Sequence, residues 1–232
     1  MFRAKFLLGA ALFFAPVYAQ AESPVVVELY TSQGCSSCPP ADRLLAELAT
    51  HDYVIALALH VDYWDYLGWK DKFAKPEFSD RQRLYARQWG ERSVYTPQMV
   101  VQGVKYMVGS RADEIQRQIM QFEDAPDQAS LRISHSTQGT QIRIAALAGP
   151  LGEAEVYLVG YSEGETVRIE RGENAGQIIE YVNVVDRWET LGRWDGSAEM
   201  VLDLPDLVQG KYVVIVQALG PGEIYVAARL TR

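Results

Sequence analysis

The 232-residue chain is short of basic side chains, long apolar runs and cysteine, and each shortage removes a class of protein. Its 22 Lys and Arg face 30 Asp and Glu, for a formal charge of −8 at pH 7. Neutralising phosphates takes clustered basic residues, so no nucleic-acid partner is expected. Basic residues do gather between Lys70 and Arg92, but Asp71, Glu77, Asp80 and Glu91 are interleaved with them, which reads as a solvated helix face. No stretch reaches the roughly 18 apolar residues of a membrane-spanning helix. The run from Phe6 to Phe14 follows Arg3 and Lys5 and precedes Pro16 and Ala19-Gln20-Ala21, the layout of a cleaved signal peptide over 1–21. Glu22, not cysteine, directly follows that site, so a lipid anchor is unsupported. The expectation is a soluble protein exported across the inner membrane to the periplasm, with no stable membrane anchor.

The cysteines are Cys35 and Cys38 alone. A bridge between them closes so small a loop that it is worth only about 2 kcal/mol. A structural staple joins distant segments; in an oxidising compartment this local pair is better suited to opening and closing. A zinc site needs four ligands, and only His51, His60, His135 and scattered acids remain to supply them.

What is present is ordinary folded composition, 48% hydrophobic and 11% aromatic. Val25 to Thr31 and Val54 to Val61 have the length and apolar character of buried parallel strands. Ala41, Leu44, Leu45 and Leu48 repeat at helical spacing. A second helix opens at Pro76 and closes at Gly90, with Phe78, Tyr85 and Trp89 on one face. Met99 to Gln102 and Lys105 to Val108 read as a hairpin around Gly103. Ser110 and Asp113 suggest a capping box for a last helix carrying Ile115, Ile119 and Phe122. Beyond Asp124-Ala125-Pro126-Asp127 the texture changes to short strands between Gly-rich turns, which argues for an antiparallel sandwich or barrel. The segment Arg171 to Gly176 reads as a structural turn or a substrate contact, and Asp186, Arg187, Trp188, Trp194 and Asp195 as packing and ion pairs.

The run from Tyr30 to Pro40 passes from a strand end into a helix start. Placed there, the Cys35 sulfur sits over unpaired backbone N–H groups and the positive end of the helix dipole, which favour thiolate over thiol. Pro39 and Pro40 suit the first helical turn, where a missing N–H costs little.

The order β-α-β-α-β-β-α, the Cys-x-x-Cys at the first strand-to-helix junction, and Thr96-Pro97 before Met99-Val100-Val101 resemble a thioredoxin fold. The resemblance implies an α/β thioredoxin-like domain over 22–126 with Pro97 cis and facing the disulfide, which the strand texture follows with an all-β antiparallel sandwich over 127–232. Four segments further resemble DUF1223, a family of secreted thioredoxin-like proteins with no assigned substrate. They are Glu28 to Asp42, His60 to Asp65, Tyr95 to Val101 and Arg171 to Asn174.

The chemistry expected is thiol–disulfide exchange, with Cys35 as nucleophile and Cys38 resolving. Thr96 offers backbone hydrogen bonds to a substrate, Pro97 forms a wall, and Trp64 and Tyr63, after the second strand, hold a peptide or pack between domains. Glu28 resembles the buried proton-accepting acid of thioredoxins, shifted in register and identity; an ion pair explains it equally. Asp62 and His60 are further candidates for proton transfer, His60 also reading as a satisfied histidine. The substrate is a protein or a small thiol or disulfide, and no cofactor is needed beyond the redox-active disulfide. Two other readings stay open: a chaperone holding Cu(I) on Cys35, Cys38 and His60, and a non-catalytic interaction protein.

Overall fold

The computed structural model describes residues 23–137, 139–204, 207 and 209–230, so the expected leader lies outside the described residues. Val25–Thr31 (β1) is buried along its whole length. Such a run, β-branched at its start and covered on both faces, makes a central strand. It pairs in parallel with Val54–His60 (β2) and antiparallel with Gln98–Val101 (β3), which turns back into Lys105–Val108 (β4). The sheet order is β2-β1-β3-β4. In the β3–β4 turn Gln102 and Gly103 both take positive φ, 52° and 71°, the left-handed conformation that tight hairpins favour.

Pro39–Leu48 (α1) and Ala112–Glu123 (α3) cover one face of this sheet, where Leu45, Ile115 and Ile119 pack with Val25, Val27, Leu29 and Ala56. Helix α3 begins after Arg111 without a side-chain cap, so Ser110 and Asp113 do not form the expected capping box. Pro76–Gln88 (α2) lies on the other face with Phe78 and Tyr85 inward. Its C-terminal Trp89 stacks between Tyr85 and Tyr106, at 4.8 and 4.1 Å between ring centroids.

The remaining strands are Ala129–Ser136 (β5), Gly139–Ala146 (β6), Ala154–Tyr161 (β7), Gly164–Arg168 (β8), Ile178–Val182 (β9), Val185–Trp194 (β10), Met200–Asp203 (β11), Lys211–Ala218 (β12) and Ile224–Leu230 (β13). They form sheets of order β10-β7-β12-β13 and β11-β6-β5, and the separate pair β8-β9. Strands β7 and β12 are apolar on both faces. Tyr157, Val159, Val213 and Ile215 share a core with Val26, Tyr30, Ile55 and Leu57 of the first sheet. Val156, Leu158, Val214 and Val216 pack on Ile142 and Ile144 of β6. Each such side chain contributes roughly 1.5–3 kcal/mol by leaving water. Residues 183–184 close the outer edge of β2, where Ala58 N–H donates to the Asn183 carbonyl and Asn183 Nδ2 to the Ala56 carbonyl.

The expected class, an α/β thioredoxin-like domain followed by an all-β sandwich, is corrected by this arrangement. The described residues are mostly β, 42% strand against 19% helix, with three α-helices and several small sheets among them. The physical reason is sheet-on-sheet packing: the β1 face bearing Val26 and Tyr30 is covered by a β-sheet as well as by α2. Strand β10 escapes the sequence reading because bulges between Val185 and Arg187 and between Thr190 and Gly192 break its two-residue period.

Between these layers lies a buried ion pair. Arg81 of α2 donates from Nε and Nη2 to the two Glu28 carboxylate oxygens, each at 2.8 Å, and Tyr30 and Tyr85 hydroxyls donate to the same carboxylate. Arg81 Nη2 also donates to Gln217 of β12, and its guanidinium lies 3.9 Å from the Trp188 ring centroid. Helix α2 is therefore not the plain solvated face that its charges suggest. Removing one partner of such a pair strands the other charge. Glu28→Gln is expected to lower unfolding free energy by roughly 3–5 kcal/mol in urea titration.

Candidate active site

Strand β1 ends at Thr31, residues 32–34 turn the chain, and the Cys-x-x-Cys segment leads into α1. Cys35 and Cys38 are disulfide-bonded, with Cα atoms 5.4 Å apart. Cys38 is the N-cap of α1; its N–H donates to the Cys35 carbonyl and its own carbonyl accepts from Ala41 and Asp42. Pro39 and Pro40 have no N–H to offer, so free backbone donors are fewer than expected above Cys35. What remains to favour a thiolate is the positive end of α1 and the Ser37 hydroxyl, 3.4 Å from Cys35 Sγ. Both cysteines are covered, at 2% and 0% exposure, whereas Ser36 and Ser37 are exposed. Solvent thus reaches the Ser36–Ser37 turn, while the sulfurs themselves are covered.

Trp64 walls one side of the loop. A Cβ placed on Gly34 would lie 3.2 Å from Trp64 Cβ, a contact that a larger residue could make only if Trp64 gave way by a few tenths of an ångström. The Trp64 indole N–H donates to Thr96 Oγ1 at 2.7 Å, and Thr96 precedes a buried cis Pro97. Trp64 and Thr96 are thus brought together beside the loop. Tyr63 donates to Gln82 of α2 at 3.0 Å, and Asp62 accepts from Ser79 of the same helix. Glu28 is held in an ion pair by Arg81 and accepts hydrogen bonds from two tyrosines.

A segment of the second half closes over the disulfide loop. Asn174, 1% exposed, donates through Nδ2 to both the Gln33 and the Cys35 carbonyls at 2.9 Å. Glu173 accepts from Ser36 N–H at 3.4 Å. The turn at 171–176 is therefore a clamp as well as a turn.

Behind the loop is a buried polar network that sequence reading did not assemble. His60, at the end of β2, lies opposite Thr31 in the parallel pair. Its Nδ1 is 2.7 Å from Asp71 Oδ2, which also accepts the Gln33 N–H at 2.8 Å. Thr31 Oγ1 donates to Asp42 Oδ1 of α1 at 2.8 Å. Tyr181 of β9 and Phe73 pack edge-on to the His60 ring. Burial raises Asp42 to about 7, above the lowering by His60 and the Thr31 hydroxyl. Burial also pushes Asp71 up, but His60 and the N–H donors of Gln33 and Phe73 outweigh it and hold that carboxyl below its ordinary value. Asp42 Oδ2, His60 Nε2, Gln33 Nε2 and Tyr181 OH are buried with no hydrogen-bond partner among the described residues. No group of three His, Cys, Asp or Glu among those residues is placed to hold a metal ion.

Residues 26–217 match the family model described as "Protein of unknown function (DUF1223)". The chain belongs to that family. The matched span holds every residue of the site described above. Among solved structures the chain is similar to a protein from Agrobacterium tumefaciens at 34% identity, over 91% of this chain and 96% of that one, with a TM-score of 0.77. It is also similar to HBP35 of Porphyromonas gingivalis at 13% identity, over 90% and 74% of the two chains, with a TM-score of 0.56, a likeness of fold alone. No curated protein matches it.

The spacing of Asp42, four residues after Cys38 on the stripe of Ala41, Leu45 and Leu48, is the signal that could have found it. Two measurements check the site. Asn174→Ala leaves two carbonyls without their donor and is expected to cost about 1–3 kcal/mol in denaturant titration. For Asp42, the folded state keeps a proton between pH 4 and about 7 that the unfolded chain has lost, so its contribution to stability falls as pH rises through that window and is level beyond. Asp42→Asn should therefore gain stability relative to the wild type as pH rises from about 4 to about 7, read from paired urea titrations.

Proposed function

We propose that this DUF1223 protein is an exported thiol–disulfide oxidoreductase acting on the thiols or disulfides of proteins or small molecules. The observation that carries the reading is the Cys35–Cys38 disulfide at the N-terminus of α1, beside Trp64 and the Thr96–Pro97 turn. A stapling role suits the pair poorly, since it joins residues three apart. No helix among the described residues is long and apolar enough to cross a membrane. A cysteine pair held oxidised fits a compartment outside the reducing cytosol.

In the reduced protein the Cys35 thiolate attacks a substrate disulfide, forming a Cys35–substrate bond and releasing one substrate thiolate. Cys38 then loses its proton and attacks Cys35 Sγ. The second substrate thiolate leaves, and two electrons have passed from the cysteine pair to the substrate. Run backwards, the same steps oxidise a substrate dithiol. Thr96 supplies backbone hydrogen bonds to the extended substrate, and Pro97, lacking an N–H, shapes the wall.

The covered sulfurs make access the decisive test. Dithiothreitol is expected to reduce the disulfide of the folded protein at a rate independent of urea below the unfolding transition. Cys38→Ala is expected to trap a mixed disulfide on Cys35 with glutathione disulfide, seen as a mass increase. Reduction only on unfolding, or no adduct on Cys35, refutes the proposal.

A further inference from the structure

Four partnerless polar atoms in one buried network require an explanation, because each forfeits its hydration. Asp42 stands closest to the chemistry. Its backbone N–H bonds the Cys38 carbonyl, so the two residues lie one turn apart on the same face of the start of α1. Helical side chains lean toward the N-terminus, which points Asp42 at the turn holding Cys38. One carboxylate oxygen is fixed by Thr31, and the other has no partner among the described residues. The groups around it are His60 of β2, Asp71 from the segment after β2, Tyr181 of β9 and Arg43 of its own helix. This is an acid held by one oxygen, with the other left for a proton.

We infer that Asp42 accepts the proton of Cys38 in the resolving step, with Thr31, His60 and Asp71 as the groups that position and polarise it; the inference rests on the exchange proposed above. In that step the S–H bond of Cys38 breaks and its proton passes to the Asp42 carboxylate. The thiolate forms the Cys35–Cys38 bond as the bond from Cys35 to the substrate sulfur breaks. The departing thiolate, or solvent, takes the proton from Asp42, restoring the carboxylate. The substrate disulfide is the oxidant, and no further reagent is needed. Burial suits Asp42 to the task, since it raises the carboxyl to about 7, where it can both take and return a proton near neutral pH.

The test follows glutathione disulfide reacting with the reduced protein, by acid quench and mass spectrometry. The glutathione adduct on Cys35 forms first, and its decay reports the resolving step. Asp42→Asn is expected to slow that decay about 10- to 100-fold at pH 7, toward the low end of general-base effects because a thiol is already a fair acid. The gap should narrow as pH rises, because hydroxide increasingly ionises Cys38 without Asp42. Asp42→Glu should restore part of the rate. Thr31→Val, which deletes a hydroxyl that stabilises the Asp42 carboxylate, should move the midpoint of the pH profile upward, and it serves if Asp42→Asn does not fold. An Asp42→Asn profile that overlies the wild type, or lies below it by one factor at every pH, overturns the assignment, as does an unmoved midpoint in Thr31→Val. Absence of adduct in wild type and Cys38→Ala alike overturns the exchange reading instead.

Discussion

The bidentate pair between Glu28 and Arg81 ties the two halves of the chain together. Glu28 sits in the middle of β1, with apolar strand on either side, where an unpaired carboxylate could not stay charged. Arg81 reaches it from α2 and spends its remaining contacts on Gln217 of β12 and the face of Trp188 on β10. One guanidinium thus meets the first sheet, a helix and the second sheet at once. Its geometry fixes how far the sheets can slide, because a shift of a single residue would separate donors from acceptors that now lie at 2.8 Å. Such a pair is poor at adding net stability and well suited to selecting one arrangement of layers.

That constraint matters for the disulfide because the second half finishes the site. Asn174 clamps the Gln33 and Cys35 carbonyls, and Tyr181 covers His60, yet both belong to residues beyond 126. The buried network behind the loop is therefore enclosed only when the two sheets are docked. The loop after β1 supplies the cysteines, α1 supplies Asp42 and β2 supplies His60; the strand β9 and the turn before it supply the cover.

Much of this was legible locally. The strands β1 and β2 and the spans of α1 and α2 follow from apolar spacing, with Pro at the helix starts. The hairpin at Gly103 was also readable, although its left-handed Gln102 was not. What local pattern could not carry was pairing across the chain. The face of β1 looks the same in sequence whether a helix or a sheet covers it, and the fold class was misread for that reason. Arg81 read as part of a solvated stripe, since nothing near it in sequence reveals Glu28 53 positions away. At the site, Cys35, Cys38, Trp64 and Thr96 announced themselves by motif. Asp42 stood in the same motif unnoticed, because an acid in a first helical turn is ordinarily explained by the helix dipole.

Burying a disulfide and an acid together has a consequence that neither has alone. In a low-dielectric site, two negative charges one helical turn apart oppose each other, so a Cys38 thiolate and an Asp42 carboxylate are not both favoured. Moving the proton from sulfur to oxygen keeps the number of charges constant while the sulfur becomes the nucleophile. An exposed pair has no such restriction, because water screens both groups and accepts the proton itself. The cover provided by Asn174 and Tyr181 thus does more than restrict access. In the exchange proposed for this pair, excluding water leaves the resolving thiol to a proton acceptor within the protein, and Thr31, His60 and Asp71 are the groups that would set how readily that acceptor gives the proton back.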